Sequence, residues 1–218
     1  MSFISSSVSL DITTSMSFFI STIVSIFVMV DPFAAIPVYL VLTERFTPAD
    51  VKKTRRKAIF VATGILLAFA LAGVWVLKVF GISIEALRIA GGLLLLKISL
   101  EHLGGQPEKI KSDETDESLH KEDISVVPLA MPLLAGPGAI STIIVQSAPG
   151  TSVLNFSLLI ISIFVVMILT YACLKSSQHL YRLFGKTGLN LMGKIMGILV
   201  AAIAIEFIMT GVKATFFH

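Results

Sequence analysis

From Val153 to Leu174 the chain runs 22 residues without one charged side chain. A helix of that length rises about 33 Å, enough to cross a hydrocarbon core about 30 Å thick. Comparable apolar runs recur at about 16–42, 58–79, 82–100, 124–148 and 189–212. Inside lipid every backbone N–H and C=O needs a partner within the protein, so runs this long are helices. A transmembrane barrel would need alternating segments of about 10 residues, and none is visible. Composition agrees: 55% of residues are hydrophobic and only 14% are charged, with a mean hydropathy of +0.91. A soluble domain carries about 25% charged residues. The sequence predicts an all-α integral membrane protein with six transmembrane helices.

The runs divide the chain into three regions. Residues 1–100 carry the first three helices, 101–123 form a polar loop dense in Glu, Asp and Lys, and 124–218 carry the last three. Residues 1–15 hold no basic side chain and lead into an apolar stretch that continues through Leu42, so the first helix is expected to be retained rather than cleaved.

Basic residues set the orientation. Arg45, Lys52, Lys53, Arg55, Arg56 and Lys57 fall between helices one and two, Lys109, Lys111 and Lys121 between three and four, and Lys175, Arg182 and Lys186 between five and six. The positive-inside rule puts these loops in the cytoplasm and both termini on the periplasmic, outer side of an inner membrane. The net charge of +3 reflects these membrane edges and gives no reason to expect a nucleic-acid partner.

Sliding the chain against itself by 105 residues brings Pro32 onto Pro137, Ala34 onto Ala139, Gly92 onto Gly197 and Glu101 onto Glu206. The same register lays helices one, two and three on helices four, five and six. Three helices per half is an odd number, so the halves enter the membrane in opposite orientations. The expectation is two inverted three-helix repeats, with helices one and four broken at Pro/Gly motifs. Transporters of this design hold substrate near the midplane between broken helices.

The first break lies in Asp31-Pro32-Phe33-Ala34-Ala35-Ile36-Pro37. Proline removes a backbone donor and disfavours helical geometry in the residue before it. Main-chain groups freed at membrane depth are tolerated where they line a protected cavity. An intramembrane carboxylate such as Asp31 is costly and marks a candidate functional site. The bland reading is a kink near a membrane edge, with Asp31 capping the next turn.

The second break, Leu134-Ala135-Gly136-Pro137-Gly138-Ala139-Ile140-Ser141-Thr142, offers close backbone approach at two glycines and two hydroxyls beyond. A helix N-terminus there would hold a carboxylate on unpaired amides. The competing explanation is a packing kink lined with small residues. The candidate substrate-binding residues are Asp31, Pro32, Ala34, Pro37, Gly136, Pro137, Gly138, Ser141 and Thr142. Glu206, inside helix six, is the coupling candidate; otherwise it reaches the outer interface.

Other chemistry is disfavoured. His102 and His120 fall in the polar loop, His179 and His218 lie outside helix cores, and no grouping has metal-ligand spacing. The chain has neither a G-x-x-x-x-G-K-[ST] phosphate loop nor a G-x-S-x-G elbow. The lone Cys173 cannot form a dithiol relay. Neither an enzyme nor a resident cofactor or metal is expected.

Four segments resemble MarC-related inner-membrane proteins: Phe80-Gly81-Ile82-Ser83-Ile84, Leu87-Arg88-Ile89-Ala90-Gly91-Gly92, Val127-Pro128-Leu129-Ala130-Met131-Pro132 with Ala135-Gly136-Pro137-Gly138, and Asp31-Pro32 to Pro37. The resemblance runs over most of the chain, leaving out the acidic loop and the N-terminal residues. It implies six helices, kinship with the LysE-type exporter superfamily, and relatedness to a small neutral amino-acid transporter for glycine and alanine. Similar sequences commonly carry Gln where this chain has Glu206.

The function expected is secondary transport, export or uptake, of a small solute such as glycine or alanine. The partners expected are the lipid bilayer and that solute. H⁺ and Na⁺ are both open as coupling ions, and a homo-oligomer is compatible with the sequence. The alternative is a non-transporting structural or assembly protein whose prolines only shape packing.

Overall fold

The computed structural model describes residues 2–44, 46–104 and 129–216, with side chains from Ser15 onward apart from Pro132 and Lys186. Every regular element among them is helical. Helices α1 (Ser2–Val30) and α2 (Pro32–Leu42) are separated by Asp31 alone, and α3 (Pro48–Val79) and α4 (Ile84–Leu103) follow. A wide turn over Leu129–Leu134 leads to α5 (Pro137–Gln146), α6 (Val153–Lys175) and α7 (Ser177–Phe216). Near its start α7 is kinked at Gly185, where φ is 63° and ψ is −178°. Glycine alone adopts that backbone at little cost.

Hydroxyl side chains fix three helix starts. Thr47 accepts from the Asp50 amide at 3.2 Å, Ser83 from Ala86 at 3.1 Å and Ser152 from Asn155 at 3.1 Å. Each such cap contributes about 1 kcal/mol. The cap at Thr47 moves a boundary expected from the sequence. Lys52 to Lys57 form the first turns of α3 rather than a loop.

Four stretches are long and apolar enough to cross a membrane: Ser15–Leu42, Pro48–Val79, Val153–Lys175 and Thr187–Phe216. The apolar runs of the sequence predict six. The 20 residues of α4 are interrupted by Glu85, Arg88, Lys97 and Glu101. The 10 residues of α5 span only about 15 Å. The protein is a multi-pass integral membrane protein, helical throughout its described elements.

The exposed side chains fit that setting. Phe60 is 80% exposed, Leu71 and Trp75 70% and Ile168 66%. Such a surface is unfavourable in water and neutral against lipid tails. Buried positions on α3 recur as Thr54, Arg55, Ala58, Ala62, Leu66, Ala70, Gly73 and Leu77, a stripe at helical period that packs on α5, α6 and the wide turn.

The largest helix pairing is α4 with α7. Two glycines let these backbones approach. A Cβ at Gly92 would stand 2.8 Å from the Ala204 carbonyl oxygen and 2.6 Å from Ile208 Cγ1. One at Gly197 would stand 3.3 Å from the Ser99 carbonyl oxygen and 3.5 Å from Leu103 Cγ. Small residues serve this purpose where helices meet in lipid.

Candidate functional site

Both proline motifs break the chain, and each proline opens a new helix. At the first, Asp31 has φ 41° and ψ 66°, the one non-glycine residue at positive φ among the described residues. Aspartate tolerates this left-handed conformation better than most residues, at a cost of about 1 kcal/mol. Pro32 has no amide proton, so the interruption falls where a helical hydrogen bond is already missing. Asp31 Oδ1 accepts from the Ala34 amide at 3.2 Å and caps α2. Pro37, expected to belong to the break, lies inside the continuous α2. It leaves the Phe33 carbonyl without its usual donor.

At the second break Met131 is extended (φ −137°, ψ 125°). The Ala135 amide donates five residues back to the Ala130 carbonyl at 2.9 Å. Gly136 is extended at φ −74°, ψ 171° and precedes Pro137, the first residue of α5. No side chain caps α5, and the first amides of any helix lack partners within it. The stretch 124–128, expected to begin this span, lies outside the described residues.

The two breaks lie against one face of α4. A Cβ on Gly91 would meet Ser141 Cβ at 3.0 Å, and one on Gly138 would meet Leu95 Cδ2 at 2.5 Å and Met29 Sδ at 3.4 Å. Seven residues further along α4, His102 Nδ1 stands 3.4 Å from Asp31 Oδ2. Seven helical residues advance about 10 Å, so that distance along α4 separates its contacts with the two breaks. From the other side α1 adds a bond to α5, where Thr22 Oγ1 donates to Gln146 Oε1 at 2.6 Å.

Burial sorts the predicted residues. Asp31, Pro32, Gly138, Ser141 and Thr142 are buried, Ala34, Pro37 and Gly136 half-buried, and Pro137 exposed. The Thr142 hydroxyl is fully buried, with no hydrogen-bond partner among the described residues. An unpaired buried hydroxyl costs about 1–3 kcal/mol. Glu206 is not brought to this group. It is exposed on α7, where its Oε1 accepts from Thr210 Oγ1 at 3.4 Å. The buried α7 positions Gly197, Val200, Ala204 and Gly211 occupy the opposite face.

Two residues escape the sequence reading. His102 belongs to the last turn of α4, not to a solvated loop, because the helix runs on through Leu103. The signal was the spacing Leu95, Ser99, His102 on one helix face, continuing the apolar stripe into polar sequence. Arg55, counted among the orienting charges, is buried with its guanidinium carbon 5.0 Å from the Tyr171 ring centroid. The rest of the predicted polar loop, 105–123, lies outside the described residues. Two open grooves lie away from the breaks: about 850 Å³ between α1 and α7, lined by Ile20, Val24 and Ile203, and about 600 Å³ along Lys52, Arg56 and Phe60.

The sequence has relatives that match it over nearly its whole length. A UPF0056 membrane protein of Methanocaldococcus jannaschii is 39% identical over 199 residues, covering 91% of this chain and 97% of that one. The UPF0056 membrane protein YvbG of Bacillus subtilis is 36% identical over 203 residues, covering 92% and 96%. A UPF0056 membrane protein of Aquifex aeolicus is 32% identical over 202 residues, covering 92% and 94%. No solved structure matches the chain. The family model for MarC family integral membrane proteins matches residues 16–216, a range that contains both breaks, and the chain belongs to the MarC family.

Proposed function

We propose that the protein is a secondary transporter, not an enzyme, and that it moves a small neutral amino acid such as glycine or alanine. One observation carries this function: two helices are interrupted at matching positions, Asp31-Pro32 and Gly136-Pro137, and both interruptions rest on α4 beside buried, unpaired polar atoms. Asp31 would receive the ammonium end of the solute. The uncapped start of α5, with the Thr142 hydroxyl, would receive the carboxylate. Along α4, the contacts with the two breaks lie about 10 Å apart. Met29 and Leu95 pack against Gly138, at the start of α5.

A six-span inverted repeat supports alternating access. Pro32 and Pro137, 105 residues apart, each start a half-helix. Gly92 packs on Ala204 and Ile208; subtracting 105 from 204 and 208 gives Ser99 and Leu103, the residues against which Gly197 packs. Such repeats transport by rocking one half against the other. The positive-inside distribution puts both termini outside.

The test is uptake of radiolabelled glycine and alanine by proteoliposomes holding the purified protein. Uptake by the wild type, abolished in Asp31→Asn and Gly136→Leu variants that remain monodisperse in detergent, is the expected result. Wild-type flux in both variants would remove this site, and no uptake by the wild type would remove these solutes.

A further inference from the structure

Asp31 and His102 meet where no sequence motif joins them. Resting on the transporter proposal above, we infer that they form a proton-binding pair, with His102 relaying protons between water and Asp31, and that the coupling ion is H⁺. The Asp31 Oδ1 atom is committed to the Ala34 amide. Its other oxygen, Oδ2, has no hydrogen-bond partner among the described residues, and neither does His102 Nδ1. They are 3.4 Å apart, within reach of each other once the imidazole turns slightly. Two unpaired polar atoms facing one another in a buried place are an acceptor and a donor awaiting one proton.

Access to water differs between the partners. The Asp31 side chain is 9% exposed and that of His102 21%, so the imidazole is the more accessible of the two and the natural entry for a proton. The steps balance. His102 takes a proton from water at its outer ring nitrogen, and Nδ1–H donates to Oδ2. Transfer across that contact leaves a carboxylic acid and a neutral imidazole. Release reverses the order, with one proton in, one proton out and no other bond changed.

Among the described residues, no other charged side chain forms an ion pair or hydrogen bond with the free atoms of the pair. On α4, Lys97 and Glu101 bind each other at 3.8 Å and face outward. On α7, which packs against both α2 and α4, Lys194, Glu206 and Lys213 are exposed. On α6, Lys175 is exposed and Tyr171 is engaged with Arg55. Described α1 side chains, from Ser15 to Val30, include no charge. A hard cation such as Na⁺ seeks several oxygen ligands. The free Asp31 oxygen instead faces a ring nitrogen, the partner suited to a proton.

The test reads proton binding separately from flux. In the reconstituted full-length protein, an infrared pH titration follows the C=O stretch of protonated carboxylic acid. The inference expects one such band to vanish in Asp31→Asn, and its midpoint to move about tenfold or more in proton concentration in His102→Gln and His102→Asn. In proteoliposomes, an outward proton gradient should raise wild-type glycine and alanine uptake, because Asp31 cannot hold the proton and the solute's ammonium at once. In the His102 variants the ratio of uptake with and without the gradient should fall to about one. An unmoved midpoint, or a gradient response that survives both His102 variants, overturns the pair. If the infrared behaviour holds while the wild type carries neither amino acid, the solute assignment fails and the proton site stands.

Discussion

The guanidinium carbon of Arg55 sits 5.0 Å from the centre of the Tyr171 ring, joining α3 to α6 at the end of the bundle that carries the most basic residues. Arg55 is only 9% exposed, and no carboxylate forms an ion pair with it among the described residues. The Tyr171 ring is one of the groups that face the buried charge, with Tyr39 also beside it. Desolvated cation–π contacts are worth about 2 kcal/mol. Tyr171→Leu keeps the apolar bulk and removes the quadrupole, so it should lower the apparent melting temperature of detergent-solubilised protein by about 4–8 °C. Arg55→Met should cost less, because it removes the charge together with its need for a partner. A Tyr171→Leu variant as stable as the wild type would show that the contact is incidental.

Glycine contacts give a graded series on the α4–α7 seam. A Cβ at Gly92 meets backbone oxygen at 2.8 Å, whereas at Gly197 the nearest atoms are His102 Cβ at 3.0 Å and a carbonyl oxygen at 3.3 Å. Backbone cannot move aside as a side-chain tip can. Gly92→Ala should therefore destabilise by about 1–3 kcal/mol and Gly197→Ala by less. At Gly64, inside α3, nothing lies within 4 Å of where a methyl group would stand, so Gly64→Ala should add about 0.5–1 kcal/mol through helix propensity. Thermal melts of the three variants check the order, and a reversed ranking of Gly92 and Gly197 would refute it.

Much of the fold was legible because lipid makes the rules few. Apolar length located Val153–Leu174 almost to the residue, and the observed α6 is Val153–Lys175. Pro32 and Pro137 marked helix starts because proline suits a first helical turn and little else in a helix. Hydropathy misplaced the helix ends. It stopped α4 at Leu100 although helix continues to Leu103, and it left Lys52 to Lys57 in a loop although Thr47 caps a helix there. Polar residues in a terminal turn look like loop until their partners are known. His102 has such a partner in Asp31, 71 residues away in sequence, and no local pattern specifies that contact. Glu206 shows the opposite case. A charge in an apolar run draws notice, yet helical phase turns this one outward.

Thr142 separates structural from functional demands. Its hydroxyl is buried without a partner among the described residues, so Thr142→Val removes an unsatisfied group at nearly constant volume. Stability should stay level or rise by about 1 kcal/mol. If that hydroxyl waits for the solute, glycine uptake should fall about tenfold or more, the equivalent of a lost hydrogen bond worth about 1.4 kcal/mol. Melting and uptake measured on one preparation decide it: unchanged flux would confine Thr142 to packing.

Topology supplies the last test. Six crossings require α4 and the short α5, with the turn before it, to traverse the bilayer despite the four charges of one and the 10-residue length of the other. The native thiol, Cys173, is half-buried, so Cys173→Ser gives a clean background. Single cysteines at Lys53→Cys and Arg182→Cys should react with an impermeant maleimide from the cytoplasmic side only. Ser83→Cys, Gly150→Cys and Thr215→Cys should react from the outside only. Four crossings formed by the long stretches alone would put positions 83 and 150 together on one side and change nothing there. The discriminating measurement is therefore made between them, at Gly104→Cys, where α4 ends. Under six crossings Gly104→Cys shares the cytoplasmic face with Lys53→Cys. Labelling it from the outside would remove the third and fourth crossings and the inverted repeat built on them.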